Sequence, residues 1–193
     1  MTIRSARDLE RTLAVNNKNM LPPYAVRLLP HDTSWAQLAD EEGARLIAAP
    51  GSVLTSVSHI GSTSIPGILA KPIIDLLGVA PDLETLDAAR PLIEALGYEW
   101  HGEYGVEGRR FCTITDVASG QRKFHLHCYA EGDHSIRRHL AFRDYLRSRP
   151  VKALAYQEMK LGCAARHPDD SHAYTACKDK WIKRVEAEAL KLY

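Results

Sequence analysis

The stretch HIGSTSIPGILAKPIIDLL, residues 59–77, decides how the rest of the chain is read. It opens at the end of an alternating, β-branched run, Val53 to Ile60, which predicts a strand, and turns at once through Gly61, Ser62, Thr63 and Ser64. It then enters Pro72 to Ala80, an apolar run interrupted only by Asp75. A continuous apolar run of this length is the pattern of a strand covered on both faces. A carboxylate inside it costs several kcal/mol unless it meets a cation, a metal ion or several hydrogen-bond donors. The turn has its own chemistry: glycine admits a close approach to the backbone, free N–H groups face an anion, and the hydroxyls add donors. Each feature also has an ordinary reading, the turn as a Gly-Ser cap of a short helix and Asp75 as a salt-bridge partner of Lys71 or a nearby arginine.

Working outward, Tyr24 to Leu29 is β-prone, and Thr33 or Ser34 opens a helix with Trp35, Leu38, Ala39 and Leu46 as its apolar stripe, ended by Pro50-Gly51. Before these, Ser5 starts a short helix and Pro22-Pro23 stops it, so residues 1–24 read as an N-terminal extension and 25–193 as one domain. On the other side, Asp82 caps one amphipathic helix (Leu83, Leu86, Ala89, Ile93, Leu96) closed by Gly97, and Tyr98 to His101 begins a strand. Arg110 to Thr115 and Lys123 to Tyr129 flank a turn at Ser119-Gly120 as a hairpin. Helical signals follow over about 133–148, 151–166 and 170–190, divided by Pro150 and His167-Pro168. The order predicts an α/β (α+β) fold: a mixed β-sheet with flanking helices and a helical C-terminal layer.

The charge balance, 25 Lys+Arg against 24 Asp+Glu, gives no global attraction to nucleic acid or to an anionic membrane, so anion binding has to be local. No apolar run approaches the roughly 20 residues that span a bilayer. The first twenty residues mix both charges with no apolar core, which predicts a cytoplasmic protein without a signal peptide. Cys112, Cys128, Cys163 and Cys177 form no CxxC pair and read as reduced core thiols.

The turn and the strand carboxylate together resemble the signature of the GrpB family, and through it the nucleotidyltransferase superfold. The likeness continues through Arg109-Arg110-Phe111, His125-Leu126-His127, the run Arg137 to Arg147, and the helices bearing Tyr156, Lys160 and Tyr174, over roughly residues 25–188. It implies a nucleotidyltransferase-like sheet and a metal-dependent nucleotidyl or phosphoryl transfer from an NTP to a small-molecule acceptor. Gly61, Ser62, Thr63, Ser64 and Lys71 then hold phosphates and Asp75 holds the ion. Active nucleotidyltransferases place a second carboxylate two residues after the first, and here that position is Leu77.

Apart from the resemblance, His125 and His127 alternate on a strand and so project onto one face. If that strand neighbours Asp75, the three form a two-histidine, one-carboxylate site for Mg²⁺ or Mn²⁺, with Zn²⁺ also accommodated, and His127 serves as ligand or base. Arg110 and Arg138, with Arg143, are the candidate grips on phosphate. Tyr174, Cys177, Trp181 and Val185 fall at helical spacing and read as core. Two other functions fit the same residues: a noncatalytic nucleotide- or coenzyme-A-binding module, favoured by Leu77, and a metal-dependent hydrolase built on Asp75 and the histidines.

Overall fold

A computed structural model describes residues 21–193. The expected N-terminal helix at Ser5 lies outside the described residues. Five strands form one sheet: β1 (Ser56–Ile60), β2 (Ile74–Ala80), β3 (Glu99–Trp100), β4 (Arg110–Thr115) and β5 (Arg122–Ala130), in the order β1-β2-β5-β4-β3. Only β2 and β5 run parallel; the other pairs are antiparallel. The sheet is therefore mixed, as the element order predicts.

Six α-helices complete the described chain: α1 (Ser34–Ala48), α2 (Leu83–Ala88), α3 (Arg90–Ala95), α4 (His134–Arg147), α5 (Pro150–Arg166) and α6 (Ser171–Leu190). One face of the sheet, with Leu76, Cys112, Leu126 and Cys128, packs against Trp35, Ala39 and Leu46 of α1 and Leu86 and Ile93 of α2 and α3. The C-terminal helices form a second core in which Phe142, Leu146, Tyr156 and Val185 enclose Ile65 and Ile68 of the loop after β1. Lys160, itself buried, donates to the Leu69 carbonyl, and Gln157 accepts from the Leu69 amide at 2.8 Å, so α5 pins the loop between β1 and β2. None of these helices is long and apolar enough to cross a membrane.

Four expectations need correcting. The single helix from Asp82 to Gly97 is two short ones, because Pro91 has no N–H to donate and its ring crowds the preceding turn; Ala89 sits at φ −80°, ψ 0° between them. Tyr24 to Leu29 is no strand: its one bridge joins Leu29 to Ala70, while the Val26 amide donates to Pro168 O at 2.7 Å and the Tyr24 amide to Ser171 Oγ. The segment is a strap whose donors go to the turn before α6, to its first residue and, at Leu29, to Ala70. The strand expected from Val53 starts at Ser56. Cys163 and Cys177 are joined in a disulfide across α5 and α6, Cα atoms 5.9 Å apart, and only Cys112 and Cys128 are free thiols. A separation of 14 residues along the chain gives no sign of that proximity, which the antiparallel helix pair creates.

Candidate metal and phosphate site

The parallel pairing of β2 with β5 sets Asp75 beside His125 and Leu77 beside His127. Because side chains alternate, Asp75, His125 and His127 emerge on one face, away from α1. His125 Nδ1 lies 3.1 Å and His127 Nε2 3.7 Å from the same oxygen, Asp75 Oδ1, and the three residues offer ligand atoms all within 4.8 Å of one another. Phe111, opposite His127 on β4, presses on both rings from centroid distances of 5.3 and 5.1 Å.

Burial pushes the Asp75 carboxyl up, but hydrogen bonds from His125 and His127, with their charges, outweigh it and hold the group well below the carboxylate range. His127 moves down, because the loss of solvent outweighs the pull of Asp75. His139 stands behind it at 5.8 Å and is lowered further, again by burial first. Arg109 Nη1 is 3.5 Å from His127 Nδ1. An arginine only donates, so this contact makes Nδ1 the acceptor and leaves the ring proton on Nε2, facing Asp75.

Gly61 adopts φ 70°, ψ −169°, a region nearly closed to other residues. The reason is on the adjacent strand: a Cβ at Gly61 would come within 2.9 Å of Asp75 Cβ and Cγ. The glycine makes room for the carboxylate, and it also lines the cleft. The hydroxyls of the turn divide. Ser62 lines the cleft and donates to Tyr156 Oη at 3.1 Å. Thr63 and Ser64 are buried; Thr63 Oγ1 lies 2.9 Å from His59 Nε2 and Ser64 Oγ donates to Gly61 O at 2.7 Å, so both brace the turn from inside.

These groups form the floor of a cleft of about 580 Å³. Its wall carries Lys71, which donates to Tyr24 Oη at 2.9 Å, and Lys178 of α6, whose Nζ lies 4.1 Å from the Tyr174 ring centroid. Burial, reinforced by the Lys71 charge, brings the Lys178 amine down to about 7. Lys71 thus stands in the cleft rather than paired with Asp75. Arg110 and Arg138 are elsewhere engaged: Arg110 is turned to the opposite sheet face and holds Asp87 at 2.5 and 2.7 Å, and Arg138 holds Glu186 at 2.5 Å. Arg143 is taken by Asp144 and the His59 carbonyl. The strand period accounts for Arg110, since its neighbours Arg109 and Phe111 point to the cleft side.

Lys178, Arg109 and Arg122 line the cleft without having been singled out as ligands. For Arg109 the signal was present, because it precedes Phe111 at the entrance to the hairpin. For Lys178 there was none, because helical spacing around Tyr174 reads as core and Tyr174 is indeed buried.

Residues 25–188 match the family described as GrpB protein. A UPF0157 protein of Bacillus subtilis is 39% identical over 171 residues, covering 89% of this chain and 49% of its own length, so the chain spans about half of that relative. The Glutamate-rich protein GrpB of Alkalihalophilus pseudofirmus is 31% identical, covering 83% of this chain and 93% of its own. Among solved structures, that of the conserved protein GrpB from Enterococcus faecalis superposes with a TM-score of 0.79 at 38% identity, covering 86% of this chain and 99% of that one. On this match the chain belongs to the GrpB family.

Proposed function

We propose that the cleft binds a divalent metal ion and the phosphates of a nucleotide, and that it serves nucleotidyl or phosphoryl transfer from an NTP to a small acceptor. The observation that carries this is the meeting of Asp75, His125 and His127 at the floor of a cleft whose wall holds Ser62, Lys71 and Lys178. Two imidazoles and one carboxylate are a donor set for Mn²⁺ or Zn²⁺ more than for Mg²⁺, which prefers oxygen and water. Their spacing fits one ion, for which metal–ligand bonds of about 2.1 Å place neighbouring ligand atoms about 3.4 Å apart. A bound ion would supply positive charge to phosphoryl oxygens. The chain's own part is to hold the phosphates through Ser62, Lys71 and Lys178 and to exclude water with Tyr156, Tyr174 and Phe111. For Nε2 of His127 to hold the ion, its proton would move to Nδ1 and the 3.5 Å contact from Arg109 would be given up.

A second reading, a noncatalytic nucleotide-binding module, is favoured by Leu77. It is 1% exposed and packs with Ile60 and Tyr129, so the position of a second strand carboxylate is closed with hydrocarbon. Titration with Mn²⁺, followed by thermal shift with ATP, tests the proposal. Wild type should bind Mn²⁺ with release of protons and gain stability from ATP only with the ion present, and Asp75→Asn should lose at least about tenfold in Mn²⁺ affinity. ATP binding without transfer to any phosphorylated or hydroxylated acceptor would select the binding module, and Mn²⁺ affinity unchanged in Asp75→Asn would sink both.

A further inference from the structure

The wall that α6 gives the cleft is held unevenly along its length. From Trp181 onward the helix is anchored in the second core: Trp181 stacks on Tyr156 at 5.2 Å, Val185 is fully buried, and Glu186 and Glu188 pair with Arg138 and Lys152. The cleft is lined by the half before it, residues 171–179. In that half only Ser171 and Tyr174 are buried. Among the described residues, its covalent and hydrogen-bonded side-chain ties to α5 are the Cys163–Cys177 disulfide and a contact of 3.1 Å from Arg166 Nη2 to Cys177 Sγ.

The bond is asymmetric. Cys163 is shut away at 0% exposure, whereas Cys177 is half-buried and meets solvent. Arg166, exposed one helical turn after Cys163, brings the same guanidinium nitrogen to 3.6 Å from Cys163 Sγ. A thiolate attacks the sulfur it can reach and displaces the other, and a neighbouring cation lowers the cost of the departing charge. Here the reachable sulfur is Cys177, the leaving one is Cys163, and the cation lies against both.

We infer that Cys163–Cys177 is a reversible thiol–disulfide exchange site whose state sets whether the cleft-bearing half of α6 is fixed or free to move. A dithiol reductant supplies the two electrons. One of its thiolates bonds to Cys177 Sγ, and the Cys163–Cys177 bond breaks with Cys163 leaving as thiolate. The reductant's second thiolate then closes on its own first sulfur and releases Cys177. The reductant ends as a disulfide, and each cysteine takes up one of the two protons the dithiol gave up. Reduction removes the tie beside Lys178, and it reaches the strap as well, because the amides of Tyr24 and Val26 donate to Ser171 Oγ and Pro168 O. None of this depends on which ligand the cleft takes.

The test is hydrogen exchange read by mass spectrometry on the full chain, oxidised and after treatment with dithiothreitol. Reduction should speed exchange at residues 174–178 and at Tyr24 and Val26 at least about tenfold, leave 181–190 and β5 unchanged, and be reversed by oxidised glutathione. The double variant Cys163→Ser, Cys177→Ser should behave as the reduced protein and ignore the reductant. Arg166→Gln should slow reduction at least about threefold, read by alkylation of the released thiols, a change that a merely structural bond would not show. This variant keeps both cysteines, so it reports even if the serine variant does not fold. Exchange at 174–178 indifferent to reduction, global unfolding on reduction, a pair that no oxidant closes again, or an unaltered rate in Arg166→Gln would overturn the inference.

Discussion

Each face of the sheet layer carries a carboxylate drawn out of solvent, and the two are treated in opposite ways. On the α1 side Glu42 accepts from Arg45 at 2.8 and 2.6 Å and from the Tyr98 hydroxyl at 2.7 Å, a closed set in which a permanent cation supplies the counter-charge. On the other side Asp75 accepts from imidazoles, keeps 28% of its side chain exposed, and opens on a cleft. Arginine keeps its charge at any physiological pH, whereas an imidazole can surrender its proton and offer a lone pair. Glu42 is thereby locked into structure, and Asp75 is left available for exchange with a cation. Burial alone would not have told them apart; the partners do.

The sharpest way to break this contrast is at the backbone that lets Asp75 stand where it does. Gly61→Ala should cost about 3 kcal/mol, through a disallowed φ and overlap with the Asp75 carboxylate, and should displace the triad as well. Urea unfolding and Mn²⁺ titration of one sample should show both losses, and a stable variant with intact affinity would mean the turn does not constrain the carboxylate. Next comes Glu42→Leu, which strands the buried Tyr98 hydroxyl and should cost about 2 kcal/mol with no change in Mn²⁺ affinity. A loss of metal binding there would erase the distinction between the two faces.

A smaller effect is expected from His59, which touches Thr63 beneath the turn. Burial brings its pKa down to about 4 from 6.5, so the folded protein takes up its proton later than the unfolded chain. The stability it contributes is present above pH 6.5 and is lost as pH falls from 6.5 to about 4, by roughly 1–2 kcal/mol once its partial exposure is allowed for. Thermal unfolding at stepped pH should show a flatter profile for His59→Gln in that window; an unaltered slope would place the acid sensitivity elsewhere. The smallest effect is that of Asp75→Asn on stability, about 1 kcal/mol at pH 7. The lowered Asp75 pKa places its contribution above the unfolded value of 3.8, so the gap between wild type and variant should close as pH falls below that. A gap that stayed constant into acid would mean that Asp75 matters to the fold by shape and not by charge.

Legibility from the residues followed the same division. The strand with Asp75, the hairpin and the three C-terminal helices were readable because each rests on local periodicity, and the His-x-His alternation already put both rings on one face. The broken helix at Pro91 was misread because its apolar spacing persists through the break. Arg110 and Arg138 could not be sorted from Arg109 by charge or by neighbourhood in the chain, since what separates them is which carboxylate, Asp87 or Glu186, the fold brings near.

By itself the sequence determined the local elements, the family, and the presence of an acidic strand position beside a glycine turn, because propensity, periodicity and a long motif act over neighbouring residues. The tertiary structure decided what each charge meets. Pairing β2 with β5 brought Asp75 to two histidines fifty residues away, packing α6 across the cleft delivered Lys178, and the closing of α5 on α6 joined Cys163 to Cys177. Electrostatic and covalent partners are chosen by distance in space, and over such separations along the chain only the folded packing supplies that distance.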